Sequence, residues 1–313
     1  MINWAAAEEQ AKKQWGVITL EQLKALGFKW LSIDWAVKSG RLVRLFRGAF
    51  RFAVVAPRWE QNAFLATCLS GAGSALSHAT AASIWGLNGF ASSHALIHVS
   101  IPGMRKIFLP GQGVTVHRPR VAFEPWARNG FIVTRLARTI IDIAEGVDDE
   151  QLEIILDAAQ HRFRRLPGWL TQELPKHRQT RPGLGRLIAL LEARNGVATE
   201  SPLETRFRRR LRLSGLPPPQ LQFNICDAQG FIMRADAAWP AHFVAVHVDS
   251  FRWHATRAQF DRDAQQRRRL ADSGWISIVV TQRDLDDHEW LEQLARTLRR
   301  RAPQRELFTN LSS

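Results

Sequence analysis

The sequence predicts a multidomain chain of mixed α+β and α/β class, and three observations carry that prediction. Its 313 residues are enough for two or three domains, each with its own core. Helical periodicity and strand alternation come in blocks: three helices and a hairpin at the N-terminus, and an α-β-β-β-α-β order from Ser201 onward. Between them, Pro- and Gly-punctuated, cation-rich sequence marks a junction. The expected boundaries are an N-terminal domain at 1–60, a middle α+β domain at 61–160, a basic helical linker at 161–197 and a C-terminal domain at 198–313.

Charge is the informative bulk property. Lys and Arg number 43 against 29 acids, a formal charge of +14 with a pI near 11.2. An excess of this size points to a polyanionic partner, because neutralising phosphates releases condensed counterions. Double-stranded DNA is the expected partner and an anionic membrane surface the weaker rival. No apolar run approaches the roughly 18 residues of a membrane span. The N-terminus lacks the charged-then-apolar pattern of a secretion signal. Cys68 and Cys226 are too few and too far apart for a disulfide framework or a zinc cluster. A reducing, cytoplasmic and nucleoid-associated setting is expected, with no membrane association.

In the first block "WAAAEEQAKKQ" reads as a helix. "TLEQ" begins a second with Thr19 and Gln22 as a capping box, and Gly27 stops it. A third, about Trp30 to Ser39, puts Ile33 and Val37 on one face and ends at Gly40. "RLVRLFRGAFRF" then reads as two strands around Arg47-Gly48. Three helices and a two-stranded wing are the order of a winged helix-turn-helix, with the third helix in the major groove. Lys29, Lys38, Arg41, Arg44, Arg47 and Arg51 are the candidate phosphate contacts. The alternative is a small helical domain with a solvated basic face.

On "GVITLEQLKALGF" and "GRLVRLFRGAFRF" this region resembles the N-terminal domain of the AbiEi family of antitoxins, bacterial transcriptional repressors. "LSHATAASIWGL" and "FIVTRLARTIIDIAE" look like the region that follows it. The resemblance implies DNA binding and a toxin partner encoded nearby.

The middle region is less legible. "HALIHVSIPG" alternates as a strand and "GVTVHRP" reads as another. His78, His94, His98 and His117 lack the tight spacing of a metal motif, so no chemistry is assigned to them. Residues 161–195 hold eight Lys/Arg against two acids, a charge that suits either a phosphate grip or a solvated junction.

From Ser201 the signals sharpen. "SPLE" caps a helix that ends near Ser214-Gly215. "LQFNI", the turn "CDAQG" and "FIMRADAA" make a hairpin, and "FVAVHVD" is a third strand with its valines on one face. Thr256 and Gln259 cap a further helix to Gly274, "WISIVVT" is a fourth strand, and Leu291, Leu294 and Leu298 mark a last helix.

That αβββαβ order is the core of the restriction-endonuclease-like, or PD-(D/E)XK, nuclease fold. On "SPLE", "RADAAWP", "VHVDSFRWH", "FDRDAQQRRRLADSGW" and "TQRDL", residues 201–285 resemble the very-short-patch-repair endonuclease superfamily. The resemblance makes Asp236 the principal metal-binding aspartate and Asp249 the next site position. It makes His254 the family histidine, a general acid or base, and Glu204 the helical glutamate. It implies Mg²⁺ or Mn²⁺ as cofactor and phosphodiester hydrolysis as the reaction. Each residue has a rival role: Glu204 as a helix cap, Asp249 as a loop cap, His254 as packing for Trp253. Asp263 and Arg267 are spaced as a helical ion pair. The pattern also departs from the family. His247 stands where most relatives carry glutamate, Ser250 where glycine is usual, and no lysine follows Lys176.

The leading expectation is therefore a divalent-metal-dependent endodeoxyribonuclease using Asp236, Asp249, Glu204 and His254 or His247. The second is a regulator of the antitoxin type whose nuclease-like domain is degenerate, and a weaker third is an RNA nuclease.

Overall fold

The computed structural model describes residues 3–90, 96–103, 113–177, 183–193, 201–249 and 257–301. The chain forms two compact units, residues 1–198 and 199–313.

The first unit opens with a small head of α1 (Trp4–Lys12), β1 (Val17–Thr19), α2 (Leu20–Ala25), α3 (Trp30–Lys38), β2 (Leu42–Phe46) and β3 (Ala49–Phe52). The capping box forms as read: Gln22 N–H donates to Thr19 Oγ1 at 3.2 Å, and Thr19 N–H to Gln22 Oε1 at 2.9 Å. The strands form an antiparallel sheet in the order β1-β3-β2. Ile18, Leu23, Phe28, Ile33, Phe50 and Phe52 fill the space between sheet and helices. At the turn from β2 to β3, Gly48 has φ +79°, a conformation that other residues adopt only with strain.

Next come α4 (Trp59–Ser70), β4 (Ala75–Leu76), α5 (His78–Trp85), β5 (Ile97–Ser100), β6 (Val114–His117), β7 (Pro125–Arg128), β8 (Phe131–Thr134) and α6 (Leu136–Ile143). After them run α7 (Asp149–Arg162), α8 (Leu166–Glu173) and α9 (Leu184–Ala193). The strands make a mixed sheet ordered β6-β5-β4-β8-β7. The head is fastened to it by Trp15, whose ring stacks on Phe131 at 4.1 Å, while Gln61 Nε2 donates to the Trp15 carbonyl at 2.9 Å. A Cβ at Gly130 would fall 2.8 Å from the Trp15 ring, so only glycine lets the indole lie there.

The segment expected to be a linker is part of the core. Leu166, Leu170, Leu184, Leu187 and Leu190 are buried with Leu76, Val133, Ile140 and Ile155 in one cluster. Its cations had suggested a solvated junction, but leucines at helical spacing bury one face and leave the cations on the other. Helix α6 is buried along its whole length and carries Arg138 and Asp142 into the interior, where Arg138 Nε meets Asp142 Oδ1 at 2.8 Å.

The second unit runs α10 (Pro202–Leu213), β9 (Gln220–Asp227), β10 (Gly230–Trp239), β11 (Val244–Asp249), α11 (Arg257–Asp272), β12 (Ile276–Thr281) and α12 (Glu289–Arg300). The sheet order is β12-β11-β10-β9, with β12 parallel to β11 and the other pairs antiparallel. Phe207 and Leu211 of α10 and Trp290, Leu294 and Leu298 of α12 pack with Val244, Val246, Ile278 and Val280. Leu270 of α11 packs with Ile225, Ile232, Ala238 and Ala245. The valine stripe that reads as a strand is therefore buried by helices, as a mixed sheet requires. Arg269 ties α11 to the β9–β10 turn, its Nε and Nη2 meeting the Asp227 carboxylate at 2.9 and 2.5 Å. No helix among the described residues is long and apolar enough to cross a membrane.

Two outcomes are expected in the first unit. Arg138→Ala, which takes the buried guanidinium away from Asp142, should cost about 3–5 kcal/mol in chemical denaturation, and Arg138→Met with Asp142→Leu should recover most of it. At the end of α8, Glu173 accepts from buried His177 Nε2 at 3.1 Å and from Lys176 Nζ at 2.7 Å. These contacts, His177 first, hold its carboxyl down at about 2 from an ordinary 4.5. A depressed carboxyl contributes stability above its unfolded pKa and loses it as pH falls towards the folded one. Glu173→Gln should thus cost about 1–2 kcal/mol at pH 7. The gap from wild type should close between about pH 5 and pH 2.

Candidate functional site

In the head, the six candidate cations divide by environment. Lys29, Arg44 and Arg47 are exposed. Arg44, on β2, reaches to 5.9 Å from the Trp30 ring and so links the strand to the start of α3. Lys38 pairs with Asp34 one turn earlier at 2.7 Å. Arg41 meets Glu8 at 2.7 Å and lies 3.9 Å over the Trp4 ring, which fixes α1 against the sheet. Arg51 departs from the expectation of a phosphate contact. It is only 8% exposed, and its guanidinium donates to the carbonyls of Phe52 and Val55. Burial converts it into a fastener for the chain leaving β3.

Apart from Lys38, the solvent side of α3 is apolar rather than cationic. Trp30, Leu31 and Trp35 are exposed at 51%, 80% and 62%. Ile33 and Ala36 face the core, so the 3.6-residue period places these large apolar groups on the outer face. Exposed aromatics of this size mark an interaction surface. The sequence reading had looked for cations and passed over them.

In the second unit, ladder pairing between β10 and β11 runs from Trp239↔Val244 to Ala237↔Val246. One step further, the Asp236 side chain takes over. Its Oδ2 accepts from Val248 N–H at 2.8 Å and its Oδ1 from Gln222 Nε2 of β9 at 3.1 Å. Gln222 has φ +51° on its strand. One half-buried carboxylate thus joins three strands where the backbone ladder stops.

Asp236 has further neighbours. Burial pulls the pKa of the half-buried Arg208 of α10 down, while the charges of Glu204 and Asp236 push it back up. Burial likewise lowers the pKa of His247, against the pull of Asp236, and its Nε2 is buried without a hydrogen-bond partner. Arg208, which the sequence does not single out, is therefore within electrostatic reach of both Glu204 and Asp236, and His247 within reach of Asp236. Glu204 also sits at the capped start of α10, its N–H donating to Ser201 Oγ at 3.2 Å. The β11 backbone places Asp249 beside Thr281 of β12. The Asp249 side chain, His254, and the side chain of Asp263 lie outside the described residues; Arg267 is exposed on α11.

The described donors do not by themselves make a Mg²⁺ site. A hard cation needs several oxygens. Here the Asp236 carboxylate already accepts two hydrogen bonds, and around it stand an imidazole better suited to transition metals and a guanidinium, shared with Glu204, that repels any cation. What the arrangement does unaided is hold three strands in register around a partly compensated charge.

Removing that bridge has a measurable consequence. Asp236→Ala should destabilise the protein by about 1–3 kcal/mol in chemical denaturation, because it strands a backbone N–H and an amide donor. Asp236→Asn, which keeps one acceptor, should cost less. A loss below about 0.5 kcal/mol for Asp236→Ala would show that the bridge is not structural.

Comparison with known proteins bears on the head. Residues 7–53 match a family model described as transcriptional regulator, AbiEi antitoxin. The uncharacterized proteins MT2308 and Rv2248, from two strains of Mycobacterium tuberculosis, are each 29% identical to this chain over 253 residues, covering 81% of it and 90% of each relative. The crystal structure of the RV2827C protein from Mycobacterium tuberculosis aligns with a TM-score of 0.39 at 18% identity, over 72% of this chain and 90% of that one. The N-terminal segment is thus similar to the AbiEi antitoxin family of transcriptional regulators.

Proposed function

We propose that the protein is a DNA-binding transcriptional regulator of the AbiEi antitoxin type, with a toxin encoded nearby as its partner. Its head is a winged helix-turn-helix that docks on duplex DNA, and its C-terminal unit serves binding or assembly without cutting. The observation that carries this reading is the family match at 7–53, which falls on the head that exposes Lys29, Arg44 and Arg47 around α3. In this reading α3 enters the major groove, where the apolar faces of Trp30, Leu31 and Trp35 contact thymine methyl groups and sugars. Arg44 and Arg47, on the wing, hold phosphates and supply the salt-dependent part of the affinity.

The C-terminal unit carries the α-β-β-β-α-β order and mixed sheet that a restriction-endonuclease-like core would need. We read it as a degenerate member of that class. His247 stands in place of the usual acid, and Arg208 lies within the field of the carboxylates that a metal would need.

The test is fluorescence anisotropy on duplex DNA from upstream of the protein's own gene, against a shuffled duplex, in EDTA. Preferential binding to the upstream duplex is expected. Arg44→Ala with Arg47→Ala should weaken binding to both duplexes and lower the slope of log affinity against log salt by roughly one per lost phosphate contact. Asp236→Asn should bind as wild type does. Equal affinity for the two duplexes, or a double variant with an unchanged salt slope, would remove the support for this reading. Nicking of plasmid in Mn²⁺ that Asp236→Asn abolishes would restore the cutting reading for the C-terminal unit.

A further inference from the structure

Three of the four histidines left without a role by their spacing meet in the middle of the first unit. The fourth, His94, lies outside the described residues. His98 is on β5, His117 on the parallel neighbour β6, and His78 at the first position of α5. One ring nitrogen from each lies within 4.8 Å of the other two. His98 Nδ1 and His117 Nε2 are 2.9 Å apart, and the His78 ring is stacked on that of His117 at 3.6 Å. All three are half-buried.

We propose that His78, His98 and His117 form a binding site for a borderline divalent transition-metal cation of the Zn²⁺ class, held by three imidazoles with a water in the fourth position. Three neutral nitrogens without thiolate or carboxylate suit Zn²⁺, Co²⁺ or Cu²⁺ and disfavour Mg²⁺ and Ca²⁺. The His98–His117 spacing is close to what a tetrahedral ion needs, whereas the His78 ring, stacked on His117, has to turn to aim its nitrogen at the same ion. At a metal–nitrogen distance of about 2.0–2.1 Å, two ligating nitrogens stand roughly 3.3 Å apart, so the His98–His117 pair has to open by only about 0.4 Å. An N–H···N contact at 2.9 Å uses one ring proton. Coordination through both nitrogens moves that proton to the other nitrogen of its ring and releases none.

The surroundings prepare the site. Ser77, fully buried, contacts His78 Nδ1 through its Oγ at 3.0 Å and donates its N–H to the His98 carbonyl at 2.9 Å. His98 N–H in turn donates to Thr80 Oγ1 at 2.9 Å. Ligand histidines are commonly oriented by such partners of the other nitrogen or of the backbone. His78 is held at φ +49°, a sparsely populated conformation that persists where the surroundings over-determine it.

Ser100 is the independent observation. It shares a strand face with His98, sits beside His117 in the parallel register, is 0% exposed, and its Oγ has no hydrogen-bond partner. Buried hydroxyls are rarely left so. A metal-bound water donating to Ser100 Oγ would satisfy it. The positive end of α5 opposes a cation, but that field is small beside three metal–nitrogen bonds.

The experiment uses the full chain, freed of metal by chelation, with ZnCl₂ in calorimetry and CoCl₂ in absorption spectroscopy. One Zn²⁺ per chain is expected, with a rise of roughly 4 °C or more in melting temperature when Zn²⁺ stands about 100-fold above its Kd. Co²⁺ should give tetrahedral ligand-field bands without a thiolate charge-transfer band, which separates this site from Cys68 and Cys226. His98→Ala and His117→Asn should each weaken binding at least about 30-fold, with unchanged circular dichroism and metal-free melting. His161→Ala, an exposed histidine elsewhere, should bind as wild type. Retention of the Co²⁺ spectrum in Asp236→Asn would support the assignment, and its loss there would move the ion to the C-terminal unit and overturn it. No stoichiometric binding, or a Co²⁺ spectrum that survives in folded His98→Ala, would also overturn it.

Discussion

Charge removed from water has to be answered within hydrogen-bond reach, and this constraint decides which of the chain's many ionisable residues remain available for function. Arg138 and Asp142 answer one another inside α6, where neither would be tolerated alone. Arg51 is answered by backbone carbonyls and Glu173 by His177 and Lys176. In each case the packing of an apolar helix or sheet face carries a charged neighbour inward, and the partner follows. A chain with an excess of 14 positive charges can spare these cations and still present others to a polyanion.

The same constraint gives Asp236 its double character. A carboxylate on the central part of a mixed sheet is what a metal-dependent phosphodiesterase would use, and it is also what a sheet can use to continue a ladder past the point where two strands separate. Here both oxygens are engaged by the sheet, with a guanidinium and an imidazole close enough to feel the charge.

The head shows the complementary case. With Arg51 and Arg41 engaged in packing, α3 offers the solvent Lys38 beside a mainly aromatic and aliphatic surface. In the proposed docking, affinity for a duplex would divide between cations of the β2–β3 hairpin and apolar contact from the helix. Salt acts on the first and base composition on the second. The histidine cluster lies in the same folded unit, on strands that pack against the core behind the head. A cation there would tighten the unit by linking β5, β6 and α5.

Local order was legible in the sequence wherever the signal is carried by neighbours in the chain. Thr19 and Gln22 cap α2, Gly48 turns β2 into β3, Ser201 caps α10, and the alternating valines of 244–248 mark β11, because each depends on groups within a few residues. Of the middle sheet, β5 and β6 were legible as single strands from "HALIHVSIPG" and "GVTVHRP", but the rest of the sheet and its pairing were not. Its strands are as short as Ala75–Leu76 and its neighbours are distant in sequence. The linker reading of 161–197 failed for a related reason, since cation content says nothing about which leucines find a core. Spacing likewise hid the histidine cluster, because the 19-position separation of His98 and His117 vanishes only when two parallel strands pair. The sequence by itself determined the net charge, the helix ends, the turns and the kind of chemistry each residue could perform. Tertiary structure alone decided which charges were buried and answered and which were left for a partner, because that depends on contacts between segments that no local pattern encodes.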